Sequence, residues 1–337
     1  MGKVLIEEEN LTNIANSIRA KTGSTDTMTP GEMPTNIGTI ESGDSYFNTT
    51  YNESNTCGYW VRDNFIKDLP DIVIDDSIVN LEYFARQTNL PKCPKLIGGT
   101  NVTNMQYLYY GNSNFTEIDI SKLVTINVTD MNNMFSGNSK LTNIIGLDKL
   151  DVSNVTNMSS MFNGTALSEI DVSNFNFKEK VILNSFLANN SNLTTVNLGT
   201  RIIYPKSTGS MFRECSNLVS LDISMIDFSN VIGNSGSDGT ANSMFYRTTN
   251  LENLIFGTNL GKGYSVSTNY AHATFTLSDC TKLTHDSLMD VINKIYDLNL
   301  ISGGTLRTQK LILGETNLAK LTEDEIAIAT ANGWIVS

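Results

Sequence analysis

Charge and catalytic side chains are what this chain has little of. Only 17% of its 337 residues are charged, and it holds two histidines, four cysteines and six prolines. Scarce histidine leaves little room for acid–base or metal chemistry. His272 stands beside Tyr270 in an insertion and His285 opens a helical segment, with no GxSxG pattern to supply a nucleophile. Cys57, Cys93, Cys215 and Cys280 form no CxxC pair, which excludes the usual zinc spacing and a dense disulfide framework. Buried free thiols are the plain expectation. No Lys/Arg cluster relieves a formal net charge of −12, so binding to nucleic acid through phosphates is not expected. Repulsion also opposes adsorption to an anionic membrane. No apolar run approaches the roughly 18 residues of a membrane span, so membrane insertion is not expected. The start, MGKVLIEEENL, lacks the longer apolar core of a secretory signal, so no signal peptide is expected.

What is there is repetition on a 40% apolar background, with Asn, Ser and Thr supplying the polarity. Eight related copies begin at Tyr83 (YFARQTNL), Leu108 (LYYGNSNF), Met134 (MFSGNSKL), Met161 (MFNGTAL), Phe186 (FLANNSNL), Met211 (MFRECSNL), Met244 (MFYRTTNL) and Thr276 (TLSDCTKL). Their starts differ by 25, 26, 27, 25, 25, 33 and 32 residues. Tandem copies at this period predict a solenoid, because one copy cannot bury its own apolar face and stacked neighbours can. Asn104, Asp130 and Asn157 precede the apolar pair and are expected to cap a short helix. Gly or Asn in SGN, NGT and ANN allows the positive φ that ends it. Segments such as FTEIDIS, LSEIDVS and LVSLDIS are then expected as strands with their first, fourth and sixth residues in a shared core.

The fold expected is α/β: a solenoid of helix-turn-strand repeats of about 25 residues with a small N-terminal segment and a C-terminal cap. Residues 1–43 hold a helical segment, with Leu11, Ile14 and Ile18 on one face, and a linker at ESGDS. Residues 44–80, including DIVIDDSIV, are expected to cap the array, which fills 81–283. Residues 284–337 offer an amphipathic helix, a strand, a helix with a capping-box pattern at LTEDE and a closing strand.

The repeated VSNVTNMSSMF followed by LSEIDVSNF closely resembles the BspA-like leucine-rich repeats of bacterial and phage surface proteins. The segment LTNIANSIRAKTGSTDTMTPGEMPTNIGTI resembles one frequent at the N-termini of tail and baseplate proteins of phages that infect Gram-positive hosts. The resemblance implies a leucine-rich-repeat array that recognises a bacterial surface glycan or protein, made in the host cytoplasm and carried on a virion tail. It also implies that the N-terminal segment, through Leu11, Ile14 and Ile18, attaches to other tail or baseplate proteins. The other reading is a purely structural baseplate or tail-fibre subunit. Tail appendages are often trimers, yet no sustained heptad here supports a coiled coil.

Within the array, the strand columns are the first candidates for ligand contact. Glu117, Asp119, Glu169, Asp171 and Asp222 fall on outward positions if the copies stack in register. Tyr264 and Tyr270, in one of two long insertions, are the loop candidates. No catalytic residue, metal ligand or cofactor is assigned, and no enzymatic activity is expected. The outward columns also have a plainer reading, a solvated sheet whose charges resist edge pairing.

Overall fold

The structure, a computed structural model, describes residues 3–5, 46–48, 71–74, 76, 78–88, 90–231, 243–263, 273–301 and 309–337. It is mixed and strand-rich, with few helices. The strands are β1 (Lys3–Leu5), β2 (Tyr46–Asn48), β3 (Ile72–Ile74), β4 (Leu96–Gly98), β5 (Glu117–Asp119), β6 (Asn143–Ile145), β7 (Glu169–Asp171), β8 (Thr195–Asn197), β9 (Ser220–Asp222), β10 (Asn253–Ile255), β11 (Ala273–Thr276), β12 (Gln309–Ile312) and β13 (Trp334–Val336). The helices are α1 (His285–Lys294), α2 (Glu315–Leu318) and α3 (Glu323–Ala331). Two compact units, Met1–Asn154 and Val155–Ser337, divide the chain between the third and fourth copies. The expected attachment helix around Leu11, Ile14 and Ile18 lies outside the described residues, as do Tyr264, Tyr270 and His272.

In the first unit, β3 pairs in parallel with β4, and β1 joins β3 and β2 antiparallel. The backbone of Lys3–Leu5 thus belongs to the sheet that opens the repeats. β5 and β6 form a parallel pair in the register Glu117↔Asn143, Ile118↔Ile144, Asp119↔Ile145. In the second unit the pairs are β7 with β8 and β9 with β10, both parallel, followed by a parallel sheet β11-β12-β13. Ile118, Ile170, Leu221 and Leu254 are each buried between exposed or half-exposed neighbours, one inward residue per three-residue strand, whereas β3 buries both Ile72 and Ile74. Small parallel pairs, rather than one long sheet, are therefore what the strands build.

The segments expected as helices are not helical. Met105, Tyr107, Tyr109 and Gly111 donate their N–H groups to the carbonyls of Asp130, Asn132, Met134 and Ser136 in the next copy, at 2.8 to 2.9 Å. Between them, Leu108 and Tyr110 donate to Met105 and Tyr107, three residues back. Alternate peptides thus face the neighbouring copy, which a helix with all its bonds internal cannot do. The second unit repeats the pattern: Met158, Ser160, Phe162 and Gly164 donate to Ile182, Asn184, Phe186 and Ala188. In the first six copies two residues take positive φ to allow it. The first column is Tyr83, Tyr107, Asn133, Ser160, Ser185 and Ser210, and the second is Gln87, Gly111, Gly137, Gly164, Asn189 and Glu214. Positive φ was expected of the second column at Gly137, Gly164 and Asn189; the first column is what breaks the helix.

Asn104, Asp130 and Asn157 do accept backbone N–H groups, from Gln106, Asn132 and Ser159. What they close is an Asx turn two residues long instead of a helix end. The first copy also shifts by one. Asn80 bridges Asn104, and Ala85 donates to Leu108, so Phe84 and not Tyr83 is the equivalent of Leu108.

The inward pairs form the core as expected: Met134, Phe135, Met161, Phe162, Met211, Phe212, Met244 and Phe245 are at most 1% exposed. Rings stack between adjacent copies, as Tyr109 on Phe135 and Phe212 on Phe245, both with centroids 5.8 Å apart. Each such side chain contributes about 1.5–3 kcal/mol by leaving water.

In each unit a buried polar column runs beside the core. Asn112 and Asn138 donate to the carbonyls of Ala85 and Tyr109 in the preceding copy, at 2.7 and 2.9 Å. Asn190 donates to Phe162, Thr248 to Phe212 and Asn317 to Leu277. Cys215 and Cys280 occupy the same column, their thiols directed at Leu187 and Phe245 carbonyls. Cys93, Cys215 and Cys280 are buried and free.

The C-terminal elements follow the sequence closely. Thr284 caps α1, and Thr322 with Glu325 completes a capping box on α3. Trp334 on β13 is buried, its indole N–H donating to the Tyr296 carbonyl at 3.0 Å.

Candidate functional site

The outward strand columns stand in register within each pair, so the residues predicted to share a face do so. Glu117 and Asn143 are opposed on β5 and β6, and Asn143 donates to the Glu117 carboxylate at 2.7 Å. Glu169 faces Thr195, and Asp171 faces Asn197, whose amide donates to it at 3.1 Å. Ser220 faces Asn253, and Asp222 faces Ile255. Glu169, Thr195, Ser220 and Asn253 are all exposed.

The aspartates have a local duty that the sequence reading missed. Asp119, Asp171 and Asp222 each accept the N–H of the serine two residues on, Ser121, Ser173 and Ser224, at 2.8 to 2.9 Å. They turn the chain out of the strand, as Asp or Asn at the first position of an Asx turn does. The signal was in the sequence as the recurrent Asp-x-Ser. Behind that turn the next copy comes close. A Cβ on Gly146, at φ 86°, would stand 2.5 Å from the Ser121 Cα.

These contacts set the charges. Burial alone would raise the Asp119 pKa, but hydrogen bonds from Lys95, at 2.7 Å, and from Ser121 outweigh it and lower it to about 2. Hydrogen bonding to Ser173 holds the Asp171 carboxyl below its ordinary value. Asp119 and Asp171 are therefore anionic at neutral pH with part of their acceptor capacity spent. Among the described residues no group of three or more His, Cys, Asp or Glu could hold a metal ion. None of the described helices is long and apolar enough to cross a membrane.

A second surface lies on the turn row, and sequence reasoning passed over it. Tyr83 and Tyr107, at the same position of adjacent copies, stack with centroids 4.8 Å apart, and Tyr110 meets Tyr107 edge-on at 5.3 Å. The guanidinium of Arg86 lies over all three rings at 4.9, 5.8 and 5.3 Å. In the second unit Arg213 and Arg247 lie over Tyr246 at 4.9 and 5.1 Å, and Glu214 pairs with both arginines. The sequence signal was Tyr at positions where later copies carry Asn or Ser.

His285 belongs to the C-terminal cap. Its Nε2 stands 2.8 Å from Glu325, linking α1 to α3, and its Nδ1 is 3.5 Å from Asp286.

Residues 84–200, about a third of the chain, match a family described as Mycoplasma protein of unknown function, DUF285. The match runs over the first five copies. A comparison with curated proteins gives no match. Among solved structures, a leucine-rich repeat protein from Bacteroides ovatus is similar at 16% identity and a TM-score of 0.35, over 74% of this chain and 69% of that one. These likenesses are to a leucine-rich repeat protein and, over the first copies, to that uncharacterised family.

Proposed function

We propose that the copies form one leucine-rich-repeat solenoid on the tail or baseplate of a phage, or of a phage-derived particle, and that this array recognises the host surface. The observation that carries the reading is the outward strand columns: short polar side chains held in register about 4.8 Å apart on backbone that cannot slide. Because the aspartates serve the turns, the contact in the second unit is assigned to Glu169, Thr195, Ser220 and Asn253, with the remaining acceptors of Asp171 and Asp222 beside them; in the first unit Glu117 and Asp119 offer theirs on that unit's own strand face. The partner in this reading is a bacterial glycan or surface protein. Single contacts of this kind are weak, and many copies on one particle make them strong through effective concentration.

The placement on a tail rests on the resemblance of the N-terminal segment. There Leu11, Ile14 and Ile18 are proposed to bind other tail proteins, and Tyr264 and Tyr270 to add contacts from their insertion. The reading assigns the chain no enzymatic step, cofactor or metal.

Particles carrying Glu169→Lys, Thr195→Lys and Ser220→Lys test the face while leaving every Asx turn in place. Adsorption to host cells should fall about tenfold or more, since each change removes acceptors and adds bulk at the contact. Adsorption equal to the parent would make the array a structural subunit of the particle. Deleting residues 7–40, which leaves β1 in place, should abolish incorporation into particles; normal incorporation would remove the attachment role.

A further inference from the structure

We propose that Tyr83, Arg86, Tyr107 and Tyr110 form a binding site on the turn row for the oxyanion of an acidic polysaccharide. The site goes beyond the strand face and is independent of it.

Arg86 stands among three tyrosine rings and makes no ion pair among the described residues. Its Nε is buried and, among the described residues, has no hydrogen-bond partner. Leaving a buried donor unpaired costs about 1–3 kcal/mol, which the ring contacts offset, and an acceptor from outside meets the outer N–H groups of the guanidinium. The ring faces around the guanidinium fix its plane, as cation–π contacts do, and leave its edge as the position for an acceptor. Guanidinium edges favour planar or tetrahedral oxyanions held by two parallel N–H···O bonds. Tyr107 and Tyr110, both partly exposed, add hydroxyl groups, and Tyr83, whose hydroxyl bonds the Glu82 side chain, adds ring surface of the kind that packs against sugar C–H faces. An acidic sugar presents both chemistries at once: a carboxylate or phosphate for the arginine and hydroxyls and C–H faces for the tyrosines.

The second unit supplies an internal comparison. Arg213 and Tyr246 sit in adjacent copies at the same column as Arg86 and Tyr110, and their ring-to-guanidinium distance is 4.9 Å. There the carboxylate of Glu214 already accepts from Arg213 Nε and Nη2, at 3.3 and 3.2 Å, and stands 3.8 Å from Arg247. That cluster is satisfied internally and is not assigned a ligand. Loss of either arginine changes the net charge equally, so the two sites separate specific binding from general attraction.

The test is calorimetric titration of the purified chain with three soluble polymers: polygalacturonate for carboxylate, poly(glycerol phosphate) for phosphate and dextran as the neutral control. Binding to one or both acidic polymers is expected, and which of them binds identifies the source of the oxyanion. Arg86→Gln should weaken it about tenfold or more, as loss of a charge-assisted pair does, and Arg213→Gln by less than about twofold. Tyr107→Ser should also weaken it; serine holds the same positive-φ position at Ser160, Ser185 and Ser210, so the fold accommodates the change. Equal loss from both arginine variants, dextran binding as well as the acidic polymers, or no binding by any polymer would overturn the proposal. Because the assay uses soluble polymers and no particle, its failure leaves the strand-face reading standing.

Discussion

Asn190 shows what one side chain does in this molecule. Its Oδ1 accepts both the N–H and the hydroxyl of Thr165, and its Nδ2 donates to the carbonyls of Phe162 and Leu187. All of these groups are away from water, so no solvent replaces the amide if it is removed. Asn190→Ala should therefore cost about 2–3 kcal/mol, read from urea denaturation; a loss under about 0.5 kcal/mol would mean that the column is dispensable. Cys215 and Cys280 stand in the same column. Burial pushes both thiols up to about 12, and Cys93 is also raised well above its ordinary value by burial. In a Cys57→Ser background, the folded chain at pH 8 should react with a thiol reagent only as fast as it unfolds, because the thiolate is the reactive form. Rapid labelling of the folded protein would contradict the burial of these three residues.

Among the elements, the clasp between α1 and α3 senses pH. Hydrogen bonding to Glu325, then to Asp286, raises the His285 pKa, with the two carboxylates adding attraction. The Glu325 carboxyl is lowered first by the Thr322 backbone N–H of the capping box and then by His285. A raised histidine contributes stability that is complete below its unfolded pKa and is lost as pH rises through the folded value. A lowered glutamate contributes stability that is present above its unfolded pKa and is lost as pH falls through the folded value. The clasp is therefore strongest in mildly acidic solution, between those limits. NMR titration of the His285 ring should give a midpoint above the ordinary histidine value, and Glu325→Gln should bring it down. An unmoved midpoint would show that the pair does not form. The turn segments carry a different lesson at this scale. Their bonds run to the next copy, so a single copy cut from the chain has no internal ladder to hold it, and it should be unstructured alone.

For the whole molecule, the spacing of the copies matters more than any one of them. Met161 is fully buried, at 0% exposure, in the first copy of the second unit. Met161→Asp should lower stability by more than about 4 kcal/mol, because it buries a charge with no partner. An unchanged melting temperature would refute the alignment on which all the columns depend. The same alignment turns isolated polar residues into faces, which is why binding is assigned to columns and clusters and not to one residue.

The amino-acid sequence by itself determined the period, the inward Met-Phe pairs, the strand segments that bury their first, fourth and sixth residues, the amphipathic α1, the capping box of α3 and the closing strand. Each of these is written in local periodicity or in a capping pattern, and local patterns survive without knowledge of neighbours. It did not determine that the apolar pair sits in a turn. Asn104, Asp130 and Asn157 look the same before a helix as before an Asx turn, and only the pull of the next copy's carbonyls decides between them. Nor did it tell that the Cys215 and Cys280 thiols reach carbonyls of another copy, or that Tyr83 and Tyr107 meet over Arg86. Those facts depend on which residues of different copies come within 3 to 6 Å. Only the tertiary structure sets that distance, because the partners lie about 25 residues apart along the chain.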